Sequence, residues 1–135
     1  MIVSIKNTDD FTIVIKDNLH QKVLEIARAE KSNSYGKYLL FSSNREALME
    51  ISEQIVSKLS LSEYWVSKKG GKGHFAYVCK IYDVDNKFAT YIDHMISISK
   101  FRAIIKFRYF KPEWKTENGV YSNAYLKGKE NNDIL

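Results

Sequence analysis

An α+β domain built on a mainly antiparallel sheet is predicted by three features of the sequence. From Gly36 onward, β-branched and aromatic runs alternate with helix-periodic runs in the order β-α-β-β-α-β. Two of the strand-like runs flank a Gly-rich insert, as in a hairpin. The chain has 135 residues, 44% of them hydrophobic, which suits one core and one domain over residues 1–135. Helices are expected to cover one face of the sheet, leaving the other open or covered by the terminal segments.

Taken in order, Phe11-Thr12-Ile13-Val14-Ile15 reads as a short strand or extended arm. Leu19, Val23, Ile26 and Ala27 recur at helical spacing behind a candidate Asn18 cap. These residues form an N-terminal segment, 1–35, ahead of a core at about 36–122. Gly36 to Phe41 is the first core strand, and Ser43 with Glu46 has the spacing of a capping box. The helix that follows places Ala47, Leu48, Ile51, Ile55 and Leu59 on one face. Tyr64-Trp65-Val66 resumes strand chemistry, and Lys68 to Gly73 turns the chain back. Phe75, Tyr77, Cys79 and Ile81 then alternate with Ala76, Val78, Lys80 and Tyr82, which places Cys79 in the core. Phe88, Tyr91, Ile92, Met95 and Ile98 keep helical spacing. In a last strand, Ala103 to Phe110, strict alternation puts Ile105, Phe107 and Tyr109 on one face and Ile104, Lys106, Arg108 and Phe110 on the other. The polar stretch 128–135 is expected to be a flexible tail.

Several classes fall away. No apolar run approaches the roughly 18 to 20 residues of a membrane span, and the start lacks a secretory pattern, so a cytoplasmic location is expected. Cys79 stands alone, with neither a disulfide partner nor ligands at zinc spacing, so no cofactor or metal is expected. Hydrolase motifs are absent. Lys68-Lys69-Gly70-Gly71-Lys72-Gly73 is not a phosphate loop, because the Gly-Lys-Ser/Thr ending and the helix after it are missing.

Charge is more informative. Basic and acidic residues balance over 1–60, eight of each, so the whole +5 excess lies in residues 61–135. Lys100, Arg102, Lys106, Arg108, Lys111 and Lys115 cluster around the last strand, with Glu113 the one acid among them. Two cations on one strand face call for solvent or an anion, and Arg and Lys are the usual donors to phosphate. Lys37, Lys80 and Tyr121 would join that surface if their strands are neighbours, with Tyr82, Phe110, Trp114 and Tyr125 interleaved. Cations on phosphates with bases stacked on rings is how single-stranded nucleic acid is held. Solvated charge and ordinary core aromatics are the alternative.

Gly36-Lys37-Tyr38-Leu39-Leu40-Phe41-Ser42, the Tyr77-Val78 to Tyr82-Asp83 strand, and Ile105 to Pro112 followed by Gly119-Val120-Tyr121-Ser122 resemble the Bles-type family of uncharacterised proteins. The likeness spans residues 36–122. It implies a fold similar to translation initiation factor 4E, a curved antiparallel sheet backed by helices. Some members of that family are labelled phosphothreonine lyase domains. That label implies a lysine base and a histidine acid, for which His74 with Lys106 or Lys37 are the candidates here. Cap-binding relatives hold a methylated base between two tryptophans and a carboxylate; Trp65 and Trp114 match that only in number, and Glu113 reads as a turn residue. The expectation is thus a small domain binding a phosphorylated or polyanionic ligand, RNA or a nucleotide, on a basic sheet face. A phosphothreonine-lyase-like enzyme and a structural or protein-interaction module are the alternatives.

Overall fold

The computed structural model describes residues 2–70 and 76–113. Its elements are β1 (Val3–Asn7), β2 (Phe11–Lys16), α1 (Leu19–Ala29), β3 (Tyr35–Ser42), α2 (Arg45–Lys58), β4 (Glu63–Ser67), β5 (Tyr77–Val84), α3 (Ala89–Ser97) and β6 (Ile105–Pro112). The strands form one open, antiparallel sheet in the order β1-β2-β4-β5-β3-β6. This is the α+β class that the sequence predicts. Within it, β3 and β4 run parallel with β5 between them, and β5 and β6 run parallel with β3 between them. These are two interleaved β-α-β units of opposite direction, so right-handed crossovers place α2 and α3 on the same face.

That face holds the main core. Val14, Tyr38, Leu40, Tyr64, Val66, Cys79, Ile81 and Ile105 of the sheet pack against Leu48, Ile51, Ile55, Ile92 and Ile96 of the two helices. Cys79 is fully buried, with its thiol pushed up to about 12 by burial, so it is a core residue. The helices do not all lie on this side. α1 packs through Leu24 and Ala27 against Tyr35 and Tyr82 on the opposite face, so part of the N-terminal segment covers the face away from α2 and α3.

Three local expectations change. On α1 the apolar residues Leu19, Val23 and Ile26 are exposed, while Gln21, Leu24 and Ala27 are buried. The polar partners on the sheet, described below, draw Gln21 inward. Asn44, not Ser43, caps α2, its side chain accepting from Ala47 N at 3.1 Å. Asn18 caps α1 as expected, accepting from Gln21 N. On β6 strict alternation fails, because the pairing with β3 shifts between Leu39 and Leu40, opposite Arg108. Beyond this bulge Phe110 turns to the helix side and meets Tyr38 edge-on at 4.9 Å, while Lys111 comes opposite Lys37. Phe110 therefore does not share a face with Lys106. Gly36 permits this crossing: a Cβ there would stand 2.5 Å from the Lys111 carbonyl oxygen and 2.8 Å from the Phe110 ring.

Candidate anion-binding face

Residues projecting away from α2 and α3 follow from the register. They are Val78, Lys80, Tyr82 and Val84 on β5, Tyr35, Lys37, Leu39 and Phe41 on β3, and Glu63 and Trp65 on β4. Lys37 is the cross-strand partner of both Tyr82 and Lys111, and Lys80 lies diagonal to it. The fold thus gathers three of the predicted basic residues, Lys37, Lys80 and Lys111. Lys106, opposite Phe41, occupies the same face about 13 Å further along, and Arg108, at the bulge with its guanidinium 5.7 Å from the Phe41 ring centre, lies between. Both are exposed, in contrast to Lys37 and Lys111, which are 3% and 5% exposed. Arg102 is an exposed turn residue ahead of β6, off the sheet face. His74, Lys115, Tyr121, Trp114 and Tyr125 lie outside the described residues.

Crowding lysines under low exposure has an electrostatic signature. Lys111 is held down to about 8 by burial and by the Lys37 charge, with Glu113 partly offsetting and Lys80 adding to the effect. Lys80 is lowered for the same reasons, burial first. Glu113 is no solvated turn residue: its Oε1 accepts from Lys37 Nζ at 2.5 Å. Between about pH 8 and the ordinary lysine value of 10.5, the unfolded chain binds more protons at the Lys111 position than the folded one. The Lys111 share of stability must therefore rise with pH across that window. Cys79 and the buried tyrosines, whose pKa values burial raises, pull the other way above about pH 9. The Lys111 share is read as a difference: the stability of the parent relative to Lys111→Met is expected to increase from pH 8 to pH 10 in thermal melts, and a difference that stays constant or shrinks would contradict the cluster.

Beside the lysines runs a row of aromatic rings. Phe11, Trp65, Tyr82 and Tyr35 come from β2, β4, β5 and β3, four consecutive strands, with centroid separations of 5.5, 5.4 and 5.7 Å. Cations sit over the rings: Lys80 Nζ is 4.6 Å from Phe11 and 5.8 Å from Trp65, and Arg28 is 5.2 Å from both Tyr35 and Tyr82. Arg28 also donates to Tyr35 Oη and, at 2.7 Å, to Glu63. Burial opposes its charge, yet Glu63 and Tyr35 together raise its pKa above the ordinary arginine value. Burial raises Tyr35 to about 12 despite Arg28, and raises Tyr82, with Glu113 next in effect. Arg28, Lys31 and Ser32 at the end of α1 face Tyr35, Trp65, Tyr82 and Glu113 across a cleft of about 270 Å³.

Arg28, Glu63 and Tyr35 are residues that sequence reasoning missed. The signal was the spacing of Gln21, Leu24 and Arg28, one face of a helix whose polar members would need buried partners. Glu63 supplies them, accepting from Gln21 at 3.2 Å and from Trp65 Nε1 at 2.7 Å.

A serine-histidine-carboxylate line also exists. His20 bridges Ser62 Oγ at 2.7 Å and Asp83 Oδ1 at 2.9 Å. Ser62 and Asp83 are fully buried, and the Ser62 hydroxyl donates to Gln21 at 2.9 Å, so no attacking oxygen faces solvent. The line fastens α1 to the strand ends. His94 is exposed on α3.

No family model, curated protein or solved structure matches this chain. Among the described residues no helix is long and apolar enough to cross a membrane.

Proposed function

We propose that the face bearing Lys37, Lys80, Lys106, Arg108 and Lys111 binds a phosphorylated or polyanionic ligand, RNA or a nucleotide. The observation that carries the reading is the row of four rings interleaved with Lys80 and Arg28, set beside the lysine cluster. Phe11 and Trp65, the half-buried rings of the row, take bases and cations take phosphates, a combination that holds single strands with little sequence reading, while Tyr35 and Tyr82 lie buried behind them. A sheet with its main helices on one side and such residues on the other is a layout suited to that work.

Lys106 and Arg108 are exposed, so their share is electrostatic and screened by salt. Binding of a labelled single-stranded RNA, followed by fluorescence anisotropy, is expected to weaken linearly on log-log axes as salt rises. The double variant Lys106→Met with Arg108→Met should flatten that slope by about 1.4, at about 0.7 for each phosphate no longer neutralised. Its unfolding free energy should stay within about 1 kcal/mol of the parent. An unchanged slope would return these two residues to the status of solvated charges.

One observation favours an enzyme of the phosphothreonine-lyase kind as the second reading. Lys111, held near 8, suits a proton-abstracting base better than the exposed Lys106 does. Release of inorganic phosphate from phosphothreonine peptides, lost in Lys111→Met, is the result this reading requires.

A further inference from the structure

The cleft between the end of α1 and the aromatic row has features that neither packing nor the lysine cluster accounts for. Tyr82 lines it and is 4% exposed, yet its hydroxyl has no hydrogen-bond partner among the described residues. Buried hydroxyls are almost always satisfied, so one left open beside a cavity marks a place for a ligand or water. At the mouth stands Lys31, exposed and in the left-handed conformation, with φ 52. Glycine is favoured at such a position after a helix, and a lysine there carries a local cost. Its ammonium makes no ion pair among the described residues, while Ser32 beside it adds a hydroxyl. Arg28 is fixed in place by Glu63 and Tyr35, with further guanidinium donors beyond the two those contacts use.

We propose that this cleft holds one nucleoside monophosphate unit, its base against Trp65 and Tyr82 and its phosphate on Lys31 and Arg28. The proposal rests on the phosphate-binding reading above for its ligand class and names the unit that would be held. About 270 Å³ is small among ligand sites and equals the liquid volume of roughly nine waters, enough for a single nucleotide rather than a strand passing through. Polarity sets the direction. Glu113 repels a phosphate at its own end and accepts from amino or ring N–H groups of a base, as the Tyr82 hydroxyl also can. Lys31 and Arg28 attract the phosphate at the other end.

Calorimetric titration of the full chain with the four ribonucleoside 5′-monophosphates, ribose 5-phosphate, inorganic phosphate and a single-stranded oligoribonucleotide tests this. At least one monophosphate is expected to bind one-to-one, tenfold or more tighter than ribose 5-phosphate. Tyr82→Phe keeps the ring and removes the open hydroxyl; it should leave the melting temperature unchanged or raised while weakening that nucleotide several-fold. Lys31→Gly, relieving the left-handed strain, should do the same. If the unit comes from a strand, Tyr82→Phe also weakens the oligonucleotide; if the free nucleotide is the ligand, oligonucleotide affinity does not move. Equal binding of ribose 5-phosphate and every nucleotide, or full nucleotide affinity in both variants, would overturn the assignment. Should nucleotides fail while the oligonucleotide still binds through Lys106 and Arg108, the cleft inference falls and the basic-face reading stands. The converse pattern leaves the cleft and removes the face.

Discussion

Glu63→Ala is expected to lower the unfolding free energy by about 3 to 5 kcal/mol, a large part of the roughly 5 to 15 kcal/mol that holds a domain together. Glu63 is 1% exposed and accepts from three donors, Gln21, Arg28 and Trp65. Its removal strands the Arg28 guanidinium between two tyrosine rings with no counter-charge, and leaves the Trp65 N–H without an acceptor. Removing the pair together is a different experiment. In Glu63→Met with Arg28→Met the uncompensated charge disappears, and the Arg28 part of the loss should return, while the cost of the unpaired Gln21 and Trp65 donors stays. Urea denaturation of the parent, the single and the double variant separates the cases. A single variant within about 1 kcal/mol of the parent would show that the Arg28 clamp does not operate.

The clamp also ties stability to the candidate site. Arg28 lies over the Tyr35 and Tyr82 rings because Glu63 holds it there, and those rings wall the cleft. Loss of Glu63 should therefore degrade nucleotide binding along with stability, whereas Tyr82→Phe should separate the two.

How much of this was written legibly in the sequence differs by element. Alternation placed Cys79 and Ile81 in the core, because β5 is a central strand paired on both sides and its pattern of 2 is unbroken. β6 misled beyond Arg108 because a bulge is one extra residue with no sequence mark in this chain, and it reverses every side chain after it. That one residue moved Phe110 into the core and Lys111 onto the basic face. On α1, the most apolar stripe is the exposed one. The burial of Gln21 and Arg28 depends on Glu63, 42 and 35 residues away, and such pairs are invisible to any local window. The same holds for His20 and Asp83, 63 residues apart. The basic face itself was partly legible, since Lys37, Lys80 and Lys111 were all named. Missing was the aromatic row, which exists only because β2 and β4 extend the sheet beside β5.

Tyr38 carries the second large effect. It is fully buried in the main core, and truncation in Tyr38→Ala should cost about 3 to 5 kcal/mol from the cavity alone. Its hydroxyl donates to Asp83 Oδ2 at 2.7 Å and accepts from Phe88 N at 3.0 Å. Phe88 is the N-cap of α3 and has no capping side chain of its own, so a residue of the central sheet meets a donor at the start of that helix. Tyr38→Phe isolates this role. The ring stays, but a buried carboxylate loses one donor and the Phe88 amide loses its acceptor, for about 1 to 3 kcal/mol. Because α3 precedes β6, the loss should be felt along that path: hydrogen exchange in α3 is expected to quicken in Tyr38→Phe more than in α2. Uniform quickening in both helices would mean that the hydroxyl contributes only to the core at large, with no special hold on α3.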